Sequence, residues 1–85
     1  MRADELMAAV DGAWVAERTR ELVEIYSVTM AEAEVCKAYE ELMRGIGLEV
    51  DVREVSPGRN NLYACIKGRA DGPSLILNGH LDTIP

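Results

Sequence analysis

The stretch Gly45-Ile46-Gly47-Leu48-Glu49-Val50-Asp51-Val52-Arg53 is where the chain changes its periodicity. Before it, Val35, Tyr39, Leu42 and Ile46 are spaced 4, 3 and 4, with Cys36 and Met43 beside them. That spacing puts the apolar side chains on one face and predicts an amphipathic helix over 31–44. Glu40 and Arg44 form a favourable i,i+4 pair on it. Gly45 and Gly47 then supply the stop. After it, Leu48, Val50 and Val52 alternate with Glu49, Asp51 and Arg53, the pattern of a half-buried strand. A helical period giving way to a period of two places the chain in the α/β class.

Toward the N-terminus, residues 4–26 read as helical, because Met7, Val10, Trp14 and then Leu22, Ile25 and Tyr26 recur near helical spacing. Gly12 weakens the middle, so this is one helix or two. Ser27 or Thr29 is placed to cap the helix over 31–44. Toward the C-terminus, Ser56-Pro57-Gly58-Arg59-Asn60 reads as a turn, with Asn60-Asn61 a turn feature. Residues 62–67 read as a second strand, Ala70-Asp71-Gly72-Pro73 as another turn, and 74–78 as a third strand. Leu75-Ile76-Leu77 lacks polar alternation, as in strands covered on both faces. Two helices and two other strands can hardly cover it. The expected architecture is therefore N-terminal helices followed by three strands that begin a larger mixed sheet.

With 85 residues the chain allows one small domain or part of a larger one. Nine basic and fifteen acidic side chains give a net charge of −6, with the whole surplus in residues 1–42. Phosphate binding needs a basic face, so the balance argues against nucleic acid and against an anionic membrane surface. No apolar run approaches a membrane span, and the acidic start lacks the apolar core of a signal peptide. Cys36 and Cys65 are too few for a disulfide framework, which makes a reduced, cytoplasmic location the default. Cys36 reads as a small core residue in the apolar stripe. Trp14 and Tyr39 read as core aromatics, and Glu40-Glu41 as a solvated helix face.

The chemistry concentrates in Leu75-Ile76-Leu77-Asn78-Gly79-His80-Leu81-Asp82-Thr83-Ile84-Pro85, which contains the single histidine. Ligand sites of open α/β sheets lie at the carboxyl ends of strands. In an extended stretch, residues i and i+2 project to the same side, so Asp82 can accept a hydrogen bond from one ring nitrogen of His80. That fixes the tautomer and aims the other nitrogen outward, the usual surroundings of a metal-bound imidazole. A His-x-Asp pair also arises by chance, and spacing alone does not decide between the two.

Gly79-His80-Leu81-Asp82-Thr83-Ile84-Pro85 after an apolar strand resembles the signature of the di-zinc metallopeptidases and deacylases, the family of acetylornithine deacetylase, succinyl-diaminopimelate desuccinylase, aminoacylase and carboxypeptidase G. Glu21-Leu22-Val23-Glu24-Ile25-Tyr26-Ser27-Val28-Thr29 is similar to the family's first-helix exit, with Tyr26 where proline is usual. Leu42, Gly47, Leu48, Val50 and Val55 resemble its passage from helix to strand. Pro57-Gly58-Arg59-Asn60-Asn61-Leu62 and Lys67-Gly68 resemble its first hairpin. The resemblance implies that His80 is a metal ligand to one of two zinc ions, or to cobalt or manganese, and that Asp82 is the catalytic-site residue orienting it. It implies metal-assisted hydrolysis of an amide or peptide bond in an N-acyl amino acid or small peptide. A bridging aspartate, a glutamate pair, a further acidic ligand and a second histidine would lie downstream. Residues 1–85 are then expected to be the N-terminal part of a catalytic domain, without the dimerisation domain, inactive alone and prone to self-association. The competing expectation is a non-catalytic truncated product or small interaction module, whose exposed strand edge pairs with another chain.

Overall fold

The computed structural model describes residues 2–85. Three helices are followed by a two-stranded antiparallel hairpin: α1 (Ala3–Ala9), α2 (Gly12–Val23), α3 (Ala33–Gly45), β1 (Glu49–Ser56) and β2 (Arg59–Cys65). The mixed α/β class expected from the sequence is the one observed.

The helical stretch read over 4–26 is two helices, broken at Val10 and Asp11, just before Gly12. Asp11 is the N-cap of α2, its carboxylate accepting the backbone N–H of Trp14 at 3.1 Å. A carboxylate there satisfies a donor that the first turn leaves unpaired. The second helix ends at Val23, short of Ile25 and Tyr26. Trp14 is not a core residue. It is 39% exposed and lies under the Arg18 guanidinium, 5.5 Å from the ring centroid.

The centre of the fold is α3. Val35, Cys36 and Met43 are buried on its apolar stripe, and with the buried Ser27 they make the small core. Its end is set by Gly47, at φ +94°. The N–H of Gly47 reaches the carbonyl of Arg44, and that of Leu48 reaches the carbonyl of Met43, both at 3.1 Å. This pair of bonds closes a helix only where the residue after the cap is left-handed, which glycine adopts without a Cβ clash.

The hairpin packs its apolar face on α3. Val50 opposes Ala64 and Val52 opposes Leu62 in the register, and Val50, Val52 and Leu62 are half-buried. The opposite face stays open, with Arg53 stacked 5.2 Å from the ring centroid of Tyr63. The turn is tighter than the expected 56–60 segment: β1 runs to Ser56 and β2 starts at Arg59, around Gly58 at φ +76°. Asn60 and Asn61 are therefore strand residues opposite Glu54 and Arg53.

The predicted third strand is not formed among the described residues. Leu75, Ile76 and Leu77 are 85, 84 and 89% exposed. A strand exists only through a partner's N–H and C=O groups. The pairing that this part of the chain makes is a single parallel bridge, between Val28 and Thr83. No helix among the described residues is long and apolar enough to cross a membrane.

Candidate functional site

The bridge brings two distant polar segments together. The N–H of Thr83 donates to the carbonyl of Ser27 at 2.8 Å, and the N–H of Thr29 donates to the carbonyl of Thr83 at 3.2 Å. Polar side chains then meet on either side of this ladder. Thr29 Oγ1 donates to Asp82 Oδ2 at 2.6 Å, and the Ser27 and Thr83 hydroxyls lie 3.5 Å apart. Asp82 Oδ1 lies 2.9 Å from His80 Nδ1, and the Asp82 carbonyl lies 3.0 Å from the same nitrogen. Both are acceptors, so Nδ1 carries the hydrogen and Nε2 of the neutral ring keeps its lone pair.

The Ser27 and Thr29 hydroxyls are thus turned to the C-terminal segment rather than to the start of α3. Glu32 occupies the N-cap position of α3 without a side-chain cap bond. Its carboxylate instead accepts the N–H of Met30 at 2.5 Å and pairs with Arg59 at the start of β2. Met30, at φ +84°, is a non-glycine residue in the left-handed region, which makes the turn after Thr29 sharp. Arg59 also reaches Met30 Sδ at 3.1 Å, so one guanidinium ties this turn to the hairpin.

The electrostatics arise from these contacts. The Thr29 hydroxyl, helped by the His80 ring and opposed in part by desolvation, holds the Asp82 carboxyl below the usual carboxylate range. The Arg59 guanidinium does the same for Glu32, against desolvation and the nearby charge of Asp82. Beside the cluster, Leu22 and Val23 of α2, Val35 of α3, and Leu81 and Thr83 line a shallow, mainly apolar groove that His80 borders.

The His80 side chain is 82% exposed and that of Asp82 is 31% exposed. An imidazole oriented through Nδ1 with a free, solvent-facing Nε2 fits a single metal ligand. Among the described residues no group of three or more His, Cys, Asp or Glu is disposed to hold an ion. Cys36 is buried and Cys65 exposed, and neither joins His80 in such a group. Glu40 accepts from Arg44 at 3.0 Å on α3 and is half-buried, while Glu41 is exposed, so the solvated face read for the pair holds fully only at Glu41.

The pairing of His80 with Asp82 was legible in the sequence, and the part played by Thr29 and Ser27 was not. Ser27-x-Thr29 and His80-x-Asp82 each have polar residues at the alternation of an extended segment. Nothing in either pattern says that they meet across 53 residues of chain.

Comparison with known proteins gives the family. The chain belongs to the family of hydrolases that includes acetylornithine deacetylase. It is similar to a LysW-lysine/LysW-ornithine hydrolase of Thermococcus kodakarensis, 41% identical over 69 residues, covering 81% of this chain and 18% of that protein. It is similar also to acetylornithine deacetylase of Vibrio vulnificus, 52% identical over 40 residues, 47% of this chain and 10% of that enzyme. A LysW-lysine/LysW-ornithine hydrolase of Pyrococcus abyssi is 36% identical over 66 residues, 78% of this chain and 18% of its own length. The chain therefore spans less than a fifth of the length of these curated relatives. No family model matches it, and no solved structure does.

Proposed function

We propose that these residues are the N-terminal part of the catalytic domain of a metal-dependent hydrolase. It cleaves the amide or peptide bond of N-acyl amino acids or small peptides. The observation that carries the reading is the pair formed by His80 and Asp82, with Nδ1 engaged at 2.9 Å and Nε2 left for a ligand. The names of the relatives support the reaction class.

In this reading His80 gives one nitrogen ligand to a two-metal centre, with zinc, cobalt or manganese as candidate metals, and Asp82 orients it from behind. When bound, the metals supply Lewis-acid activation of water and of the scissile carbonyl. The remaining ligands and the general base come from sequence beyond these residues. The apolar segment 74–78 becomes an inner strand of the larger sheet, whose other elements cover both of its faces. The unpaired cysteines fit a reducing compartment, the cytoplasm.

The 85 residues alone have no hydrolase activity in this reading, because one imidazole and one carboxylate cannot hold a two-metal centre. The test is an assay of the purified chain, and of a chain extended along the natural gene, against N-acetyl amino acids and dipeptides with added zinc or cobalt. Activity is expected only in the extended chain, and is expected to be lost there on His80→Ala. An extended chain without hydrolase activity, or one indifferent to His80→Ala, overturns the reading.

A further inference from the structure

The Asp82 carboxylate is held at both oxygens, and the second holder is outside the signature. The terminal torsion of an aspartate is broad and nearly two-fold, so a single bond to His80 does not set the carboxylate plane. No lysine or arginine pairs with Asp82 among the described residues: its side-chain partners are the His80 ring and the Thr29 hydroxyl. The Thr29 bond, at 2.6 Å, has the length of a charge-assisted O–H···O⁻ contact. The hydroxyl is itself aimed. Threonine is stiff at χ1. The Thr29 N–H is bonded to the Thr83 carbonyl, and Ala31 N–H closes the turn onto the Val28 carbonyl at 2.7 Å.

We propose that Thr29 is a positioning residue for His80: its hydroxyl fixes the Asp82 carboxylate so that Oδ1 faces Nδ1 of the imidazole. The chain of contacts runs Thr29 Oγ1, Asp82 Oδ2, Asp82 Oδ1, His80 Nδ1, and ends at the free Nε2. Without the hydroxyl, Oδ2 loses its donor and turns toward water, and the ring N–H is left with the Asp82 carbonyl at 3.0 Å as its nearer fixed acceptor. The imidazole then has less reason to keep its hydrogen on Nδ1. The proposal rests on the reading of His80 as a ligand only for its consequence, since the contacts exist in the chain as it stands.

The test uses the ¹⁵N-labelled 85-residue chain as wild type, Thr29→Val and Thr29→Ser. Long-range ¹H–¹⁵N correlation at a fixed, mildly alkaline pH reports which ring nitrogen of the single histidine bears the hydrogen. Wild type and Thr29→Ser are expected to favour Nδ1–H, while Thr29→Val shifts the ratio several-fold toward Nε2–H. The Thr83 amide resonance should stay put in all three, because the backbone ladder is unchanged. Zinc added alone should perturb the ring resonances at lower concentration in wild type than in Thr29→Val. The difference is expected near the lower end of the roughly 10–100-fold that partners behind a metal ligand command. A tautomer ratio unmoved by Thr29→Val overturns the proposal. A Thr83 amide that undocks in Thr29→Val also overturns it, by making Thr29 part of the scaffold instead of the aim. Absence of any zinc effect in wild type counts against His80 as a ligand, and the tautomer ratio still decides the role of Thr29.

Discussion

The N–H of Thr83 lies 2.8 Å from the carbonyl oxygen of Ser27, a residue 56 positions earlier in the chain. This bond seats the His80–Asp82 segment against the loop that leaves α2. Ser27 is 3% exposed, so its carbonyl has little water to fall back on. Thr83→Pro deletes the donor while allowing the extended backbone that this segment already has. Leaving a buried carbonyl unpaired costs about 1–3 kcal/mol. The expected outcome is release of residues 80–85, read as fast amide exchange at Thr29 and loss of contacts between Val28 and Thr83, with the hairpin register unchanged.

The core and the apolar tail should respond in opposite ways to substitution. Val35 is 2% exposed and Ile76 is 84% exposed. Val35→Ala removes buried carbon and leaves a void, at a cost of roughly 2 kcal/mol. Urea unfolding followed by circular dichroism should show that loss. Ile76→Lys should leave the unfolding midpoint nearly unchanged. It should instead reduce the self-association expected of this segment, whose unpaired backbone groups and apolar side chains are free to pair with a second copy of the chain. Sedimentation velocity over a concentration series measures this, and equal association of wild type and Ile76→Lys would remove the segment from that role.

Glu32 gives a pH signature. Its pKa is depressed in the folded chain, first by the Arg59 guanidinium. A depressed carboxyl adds stability above its unfolded value, about 4.3, and that contribution fades as pH falls through the lower folded value. The turn 29–32 should therefore stay tied to the hairpin at neutral pH and loosen only in acid below the ordinary glutamate range. Carboxyl ¹³C titration of Glu32 checks this. In Arg59→Ala the midpoint should rise toward the ordinary glutamate value, and the acid-dependent step of the Met30 amide, which Glu32 accepts, should move up with it.

The two thiols should differ in reactivity. Burial, with the nearby charge of Glu40, pushes the Cys36 thiol up, so little thiolate is present near neutrality, and the residue is enclosed. Cys65 ends β2 in the open. Reaction with a thiol-specific disulfide reagent in mildly alkaline buffer should consume one equivalent quickly and the second only after denaturant is added. Cys65→Ser should remove the fast phase, and Cys36→Ser should remove the slow one.

The amino-acid sequence by itself determined the features that are local in cause. The stop set by Gly47, the helix with Val35, Cys36 and Met43 on its stripe, and the alternating strand that begins at Glu49 each depend on neighbours within a few residues. His80 and Asp82 are likewise two residues apart in an extended stretch, and their contact comes from that spacing. What lay beyond local reach failed for one physical reason: a contact between distant segments is settled by which surfaces bury and which backbone groups find partners. The segment 74–78 has a strand's composition but no second strand beside it, so it stays unpaired among the described residues. Ser27 and Thr29 have a cap's composition, yet the tertiary structure gave their hydroxyls to Thr83 and Asp82 and left the start of α3 to Glu32. Only the fold could decide that second choice, because the competing acceptors lie more than fifty residues away.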